Sequence, residues 1–271
     1  MRNKKDTSYN FTVGLILTGI MVFFILLGMI WTPYDPEKMQ GSLKLQAPMI
    51  SHIFGTDQFG RDVFSRVLTG AGSTLVIALG TVLIGGTLGV ILGAITGYFG
   101  GWLDEALMRI NDAVAAFPSV LLALVLVSIM GTGTYKVMLA LGIAFIPSFA
   151  RIVRGEFMRC KNEDYVVCAK LMGVSVPRIL FVHILPNILP VLLSSLTIGF
   201  NNAVLAEAGL SYLGIGVQPP DASLGRMLSE AQTYLSGGPW CAIFPGMFLV
   251  LLILGVGMLG EGILDRFGGG R

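Results

Sequence analysis

Six apolar stretches, each close to the length that crosses a lipid bilayer, constrain this chain more than any other feature. They cover residues 11–31, 75–99, 114–130, 137–150, 188–206 and 240–264. A helix of about 20 apolar residues spans the hydrocarbon core of a membrane. Helices also satisfy their own backbone hydrogen bonds where no water is present. The pattern therefore predicts an all-α polytopic membrane protein with six transmembrane helices, the fourth of them short and interrupted by Pro147.

Composition supports a membrane protein and excludes several other classes. Only 13% of the residues are charged, against about 25% in soluble domains. A net charge of +2 is too small to indicate a nucleic-acid partner. The cysteines (Cys160, Cys168 and Cys241) form no CxxC pair, and His52 and His183 stand apart, so no metal site is predicted.

The distribution of basic residues predicts the orientation. With the N-terminus in the cytoplasm, 12 of the 18 Lys and Arg residues fall on the cytoplasmic side, as the positive-inside rule requires. Both termini are then cytoplasmic. The predicted parts are a tail (1–10), a retained first transmembrane helix (11–31), an external loop (32–70) and a membrane core (71–271). The core includes a cytoplasmic loop (156–186) and an external loop (208–239).

The external loop contains a segment, 52–68, with helical amphipathic periodicity. Phe59, Val63 and Phe64 fall on its apolar face, and Asp62 and Arg66 are spaced to pair at i and i+4 on the polar face. We expect a short amphipathic helix on the outer membrane interface.

The cytoplasmic loop contains a punctuated polar segment, 162–186. Asn162 is a candidate N-cap, Gly173 a left-handed C-terminal residue, and Ser175 with Pro177 the start of a second short helix. Pro186 ends or kinks that helix. Tyr165, Cys168, Ala169 and Met172 are predicted to share one face beside Lys170, which suits insertion into a groove on another protein. A plain interfacial linker between two spans is the alternative.

The spacing within this segment resembles a known motif. Val167-Cys-Ala169 is followed after three residues by Gly173 and after eleven more by Leu185-Pro186. This is similar to the EAA loop of permease subunits of bacterial ABC importers. Ala169, Gly173, Leu185 and Pro186 match, whereas Val167 and Cys168 replace the usual Glu and first Ala.

The resemblance extends to other parts of the chain. Residues 55–66 resemble the outer-loop signature of the peptide/nickel (dipeptide/oligopeptide) branch, second-permease type, and residues 207–220 and 227–246 resemble the same branch. The signature residues in the outer loop are Gly55, Asp57, Gly60, Arg61, Asp62 and Arg66. The chain departs from the family at Gly72, which often is Arg, and in its glycine-rich tail.

The resemblance implies a type I ABC importer permease in the bacterial cytoplasmic (inner) membrane. Its implied partners are a second homologous permease, two ABC ATPase subunits and an extracytoplasmic solute-binding protein, with segment 162–186 coupling to the ATPases. The sequence has no GxxxxGK[ST] phosphate loop, so we expect no enzyme activity and no cofactor bound by this chain, with ATP and Mg²⁺ used by the partners. The implied solutes are di- or oligopeptides, and nickel or metal chelates.

Polar residues in the fifth span are candidates for the translocation pathway. Asn201, Asn202 and Glu207 either contact solute or form hydrogen bonds between helices. The glycines of the second span (Gly80, Gly85, Gly86, Gly89 and Gly93) predict tight helix packing. An ion-gradient-driven secondary transporter is the alternative function, although no ionisable residue lies clearly at the centre of a span.

Overall fold

A computed structural model describes residues 4–267, which form helices joined by turns and loops and contain no strand. The α-helices, in chain order, are α1 (Lys4–Ile30), α2 (Val63–Phe99), α3 (Gly101–Ala115), α4 (Ser119–Met130), α5 (Thr134–Cys160), α6 (Asp164–Leu171), α7 (Val176–Arg178), α8 (Leu185–Tyr212), α9 (Leu224–Ala231) and α10 (Trp240–Phe267). A π-helical segment, Ile179–Ile184, joins α7 to α8 without a break.

The predicted all-α membrane architecture is confirmed, with one span of unexpected shape. Five helical segments are long and apolar enough to cross a membrane, and α3 with α4 makes a sixth only as a pair bent by 85°. The bend falls at Phe117-Pro118, because the residue before a proline disfavours the helical conformation. The third apolar stretch, predicted over 114–130, therefore corresponds to α4 together with the bend that precedes it. Helix α4 has 12 residues, which is about 18 Å of helix.

The fourth predicted span is longer in the structure. Helix α5 has 27 residues and runs through Pro147, whereas the apolar pattern ended at residue 150. Arg151 and Arg154 lie in this continuation, and both pair with acids of α3. Arg154 makes a bidentate contact with Asp104 (2.6 and 2.7 Å), and Arg151 lies 2.8 Å from Asp112.

Helices α2 and α5 pack in parallel through a row of glycines. Gly85, Gly89, Gly93 and Gly97 lie four residues apart on α2 and face α5. A Cβ on Gly89 would lie 2.5 Å from the Cβ of Phe149, and one on Gly93 would lie 2.5 Å from the carbonyl oxygen of Ala150. Backbones approach this closely only where no side chain intervenes. The predicted tight packing is confirmed.

The remaining long helices surround this pair. Helix α1 packs antiparallel to α10, with the Gly14 backbone against Leu259 and Gly255 against Thr18. Helix α8 crosses between α2 and α10. As a result, residues 32–62 and 213–239 gather at one end of the bundle, which we call the loop end. Residues 161–184 lie at the opposite end, which we call the hairpin end.

Replacing a glycine of the α2–α5 contact is expected to destabilise the fold. In Gly93→Ala the added methyl meets the backbone of Ala150 and Arg154, and such overpacking costs about 1–3 kcal/mol. At Gly19, on the exposed side of α1, an added Cβ meets nothing within 4 Å. Gly19→Ala is therefore the matched control. Thermal unfolding in detergent should show a lower midpoint for Gly93→Ala alone, and equal midpoints would contradict the packing argument.

Candidate functional site

The hairpin end is built from α6, α7 and the π-helical segment. Helix α6 begins after Glu163, which is the N-cap residue, so the prediction that Asn162 caps it was wrong by one position. The helix ends as predicted, because Gly173 takes a φ of +74°. There the Val174 N–H donates to the Ala169 carbonyl (3.1 Å) and the Gly173 N–H to the Lys170 carbonyl (3.0 Å). This is the Schellman pattern that terminates helices.

The second half of the hairpin end leads directly into α8. Ser175 occupies the N-cap position of α7 without a side-chain cap, and Pro177 lies in its first turn. Pro186 does not end the helix. The turns before it widen, so that the Leu185 N–H donates to the Leu180 carbonyl. A proline ring clashes with the carbonyl four residues earlier, and a π-helical segment is one way to accommodate that clash.

Helix α6 presents a different face from the one predicted. Val166 and Ala169 are buried, in a cluster with Val153, Phe157, Cys160, Ile179, Ile184 and Ile188. Ala169 therefore does not share a surface with Tyr165, Cys168 and Met172, which are exposed. Val166 was not predicted to face inward, although its i, i+3 spacing to Ala169 is typical of one buried helix face.

The exposed tip of the hairpin end is apolar. Leu171 is 83% exposed and Met172 75% exposed. Lys170 lies against the body of the protein, since its Nζ donates to the Lys161 carbonyl (3.2 Å) and sits 5.1 Å from the centre of the Tyr98 ring. Leu185 packs against the buried cluster, while Pro186 is exposed in the first turn of α8. The buried cluster thus forms a packed base from which the large apolar side chains of Leu171 and Met172 project into solvent.

A cleft of about 520 Å³ opens between α4, α5 and α8. Its lining residues are Ser119, Val120, Phe145, Ser148, Phe149, Ile152, Ser195, Ile198, Gly199, Asn202, Leu205, Ala206 and Gly209. On α8 they recur at intervals of three and four residues, which is one helical face. A volume of 300–1,000 Å³ is typical of small-molecule sites, so this is the candidate pathway surface of the chain.

The three polar residues predicted for the pathway separate in the structure. Asn202 lines the cleft. Asn201 points to the opposite side and donates to the Ile253 carbonyl of α10 (3.2 Å), an interhelical hydrogen bond. Glu207 is fully buried and accepts hydrogen bonds from Thr74 (2.9 Å) and Ser211 (2.6 Å). Of the two roles predicted for Glu207, the structure shows the hydrogen bond between helices, because its carboxylate accepts from Thr74 of α2 and is enclosed by the chain itself.

The external signature forms a compact charged cluster at the loop end. Arg61 contacts Asp57 (2.6 Å) and Glu230 of α9 (3.0 Å), and Arg66 contacts the same two acids at 3.6 and 3.4 Å. Arg226 adds a contact with Glu230 at 3.2 Å. Asp57, Arg61 and Arg66 are all buried. The cluster ties the first loop to α9 across more than 160 positions of sequence, and no local pattern indicated Glu230.

The amphipathic helix predicted over 52–68 is not present as a separate element. Residues 52–62 form turns, with Gly55 and Gly60 at φ +72° and +73°, and α2 starts at Val63. Asp62 does not pair with Arg66. It caps α2 by accepting from the Ser65 N–H, and its other oxygen lies 2.8 Å from His52. The apolar periodicity was real, but it marks the buried first turns of α2.

Comparison with known proteins identifies the family. Residues 89–268 match the family model described as binding-protein-dependent transport system inner membrane component. This chain belongs to that family. It is an inner-membrane, multi-pass permease subunit of an ABC importer.

Two curated relatives agree with the family assignment. The chain is 37% identical to the dipeptide transport system permease protein DppC of Alkalihalophilus pseudofirmus, over 93% of the chain and 83% of that protein. It is 36% identical to the DppC protein of Haemophilus influenzae, over 93% of the chain and 88% of that protein. The predicted resemblance to the peptide branch is confirmed, and the alternative of a secondary transporter finds no support.

A solved structure has the same fold. The chain aligns with a chain of the inward-facing MetNI methionine ABC transporter with a TM-score of 0.60 at 19% identity. The alignment covers 74% of this permease and 95% of that chain. The predicted type I importer permease fold is confirmed.

The charged cluster of the permease is expected to stabilise its loop end. Glu230→Gln leaves the buried Arg61 and Arg66 without one of their two acids, and breaking a buried ion pair costs about 3–5 kcal/mol. Glu105→Gln is the control, because the Glu105–Arg109 pair is exposed and 3.8 Å long and such pairs contribute about 1 kcal/mol or less. Limited proteolysis of the first loop should accelerate in Glu230→Gln only; unchanged cleavage would mean that the cluster does not hold the loop.

Proposed function

We propose that this permease forms half of the translocation pathway of a binding-protein-dependent importer of di- or oligopeptides. It pairs with a second, homologous permease, receives solute from an extracytoplasmic binding protein and is driven by two cytoplasmic ATPase subunits. In this proposal both termini lie in the cytoplasm, as the bias of Lys and Arg favours. The hairpin end then faces the cytoplasm and the loop end faces the binding protein.

The observation that carries the proposal is the exposed apolar tip of the hairpin end. Leu171 and Met172 project from a helix whose other side is buried, and an apolar surface of this kind on a rigid base is typical of a protein-docking element. The ATPase groove is the proposed partner surface. Met adapts to irregular apolar pockets, which suits a surface that moves during each cycle.

The connectivity of the hairpin end provides a mechanical route to the cleft. Helix α5 leads into α6, and α7 leads through the π-helical segment into α8, so α5 and α8 both begin or end beside the docking tip. The same two helices supply most of the cleft lining. A displacement of α6 by the ATPases therefore changes the α5–α8 geometry. ATP favours one arrangement to the extent that the ATP-bound subunits bind it more tightly.

ATP and Mg²⁺ are assigned to the partner subunits. The sequence carries no phosphate-binding loop, so we propose that this chain binds no cofactor and performs no hydrolysis. The permease contributes differential binding of two helix arrangements, and the free energy comes from the nucleotide.

Peptides are the proposed solutes, with nickel or a metal chelate as the second candidate. Both curated relatives are named as dipeptide permeases. Among the residues that the structure describes, no group of three or more His, Cys, Asp and Glu is placed to hold a metal ion. Uptake of Ala-Ala and of Ni²⁺, each delivered by the cognate binding protein to liposomes containing the whole transporter and internal ATP, separates the two. Nickel uptake without peptide uptake would overturn the peptide assignment.

A charge at the docking tip should uncouple the permease from its ATPases. Leu171→Asp places a carboxylate in the proposed apolar contact, where desolvation without a partner is costly. We expect the ATPases to co-purify at a level reduced by at least about tenfold, which corresponds to about 1.4 kcal/mol. Leu235→Asp, at an exposed leucine of the loop end, is the control. Normal ATPase recovery with Leu171→Asp would leave the hairpin end as a plain linker.

A further inference from the structure

The chemistry of the cleft is uncharged throughout. Three serines and Asn202 are its polar side chains, and none of the residues that line it is ionisable. Carboxylate, imidazole and thiolate are the side chains that bind divalent metals, and none of them lines this surface. The cleft therefore offers hydrogen bonds without fixed charge.

Two of the polar side chains are open toward the cleft. The Asn202 and Ser148 side chains are exposed, and neither makes a hydrogen bond within residues 4–267. Ser195 differs, because its hydroxyl already donates to the Val191 carbonyl (2.7 Å). A carboxamide presents one acceptor and two donors side by side, which is the complement of a peptide unit with its own N–H and C=O.

The position of Asn202 argues against a lipid-facing surface. It lies on α8, within a segment apolar enough to span a membrane. An unpaired carboxamide in contact with hydrocarbon costs several kcal/mol, so this face must meet water, protein or a polar solute. Gly199, one turn away on the same face, gives the Phe149 ring room to pack against α8. The ring and the carboxamide thus form one amphipathic wall.

We propose that Asn202, together with Ser148, is a neutral binding site for the backbone amides of a peptide passing through this permease. The inference rests on the proposed peptide transport and adds how the solute is recognised. A site that binds only the backbone N–H and C=O groups accepts peptides whose side chains are acidic, basic or neutral. It offers a bare metal cation no anionic ligand.

The test uses the complete transporter in liposomes, with Ala-Ala, Lys-Ala and Glu-Ala each delivered at saturation by the binding protein. Wild type should transport the three at maximal rates within about threefold of one another. Asn202→Leu keeps the branching of the side chain at the γ position but loses the hydrogen bonds, and uptake should fall by about tenfold. The ATPases should co-purify with Asn202→Leu at the wild-type level, because the hairpin end is unchanged.

Two further variants separate recognition from folding. Asn202→Asp should raise the ratio of Lys-Ala to Glu-Ala uptake by about tenfold, since charges interact strongly in a poorly hydrated site; a purely structural role would leave this ratio unchanged. Ser148→Ala should lower uptake severalfold. Its control is Ser128→Ala on α4, whose hydroxyl already donates to the Leu124 carbonyl (2.8 Å).

The outcomes discriminate between the site and the wider function. Wild-type uptake of all three dipeptides combined with normal uptake by Asn202→Leu and Ser148→Ala overturns the amide site while leaving peptide transport intact. If wild type takes up none of the dipeptides, peptide transport and the amide site both fail. Should Asn202→Asp not assemble, the rates of Asn202→Leu and Ser148→Ala still decide the question.

Discussion

The close approach of α2 and α5 is the contact on which the rest of the structure depends. In a bilayer, lipid tails are as apolar as leucine, so helices associate through van der Waals contact rather than through exclusion of water. Glycines at every fourth position of α2 let the two backbones meet. With α5 fixed in this way, its end carries α6 away from the membrane core, and Arg154 meets Asp104 to hold α3 across it.

The two ends of the bundle are held by opposite kinds of interaction. At the loop end, Arg61 and Arg66 share Asp57 and Glu230 in a mostly buried ion cluster, whose geometry is specific because an unpaired member is costly. At the hairpin end, an apolar cluster around Val166 and Ala169 packs α6 against the neighbouring helices. The ion pairs hold the loops in place at the loop end. At the hairpin end, the apolar cluster leaves Leu171 and Met172 exposed for docking.

Features with a local periodic or positional signature were accessible from the sequence. The apolar stretches indicated the membrane-spanning segments, the glycine spacing indicated the packing of α2, and Gly173 marked the end of α6, where φ is +74°. The predictions from the sequence were wrong where one local sequence pattern is compatible with two different structures. The periodicity of residues 63–68 suits an interfacial helix and the buried start of α2 equally well. Ala169 suits an outer or an inner face until the neighbouring helices are in place.

The sequence by itself determined an all-α membrane protein, its resemblance to an importer permease family and the presence of a polar segment between two spans, with a helix end at Gly173. Only the tertiary structure decided that Glu207 is enclosed by Thr74 and Ser211, that Glu230 completes the charged cluster, and that Asn202 rather than Asn201 lines the cleft. The physical reason is how far apart in the sequence the interacting residues lie. Helix periodicity is set by neighbours three and four residues apart. The contacts of Glu207 with Thr74 and of Glu230 with Arg61 instead join residues more than 130 positions apart, and the roles of Asn201 and Asn202 depend on which helix lies beside each face of α8.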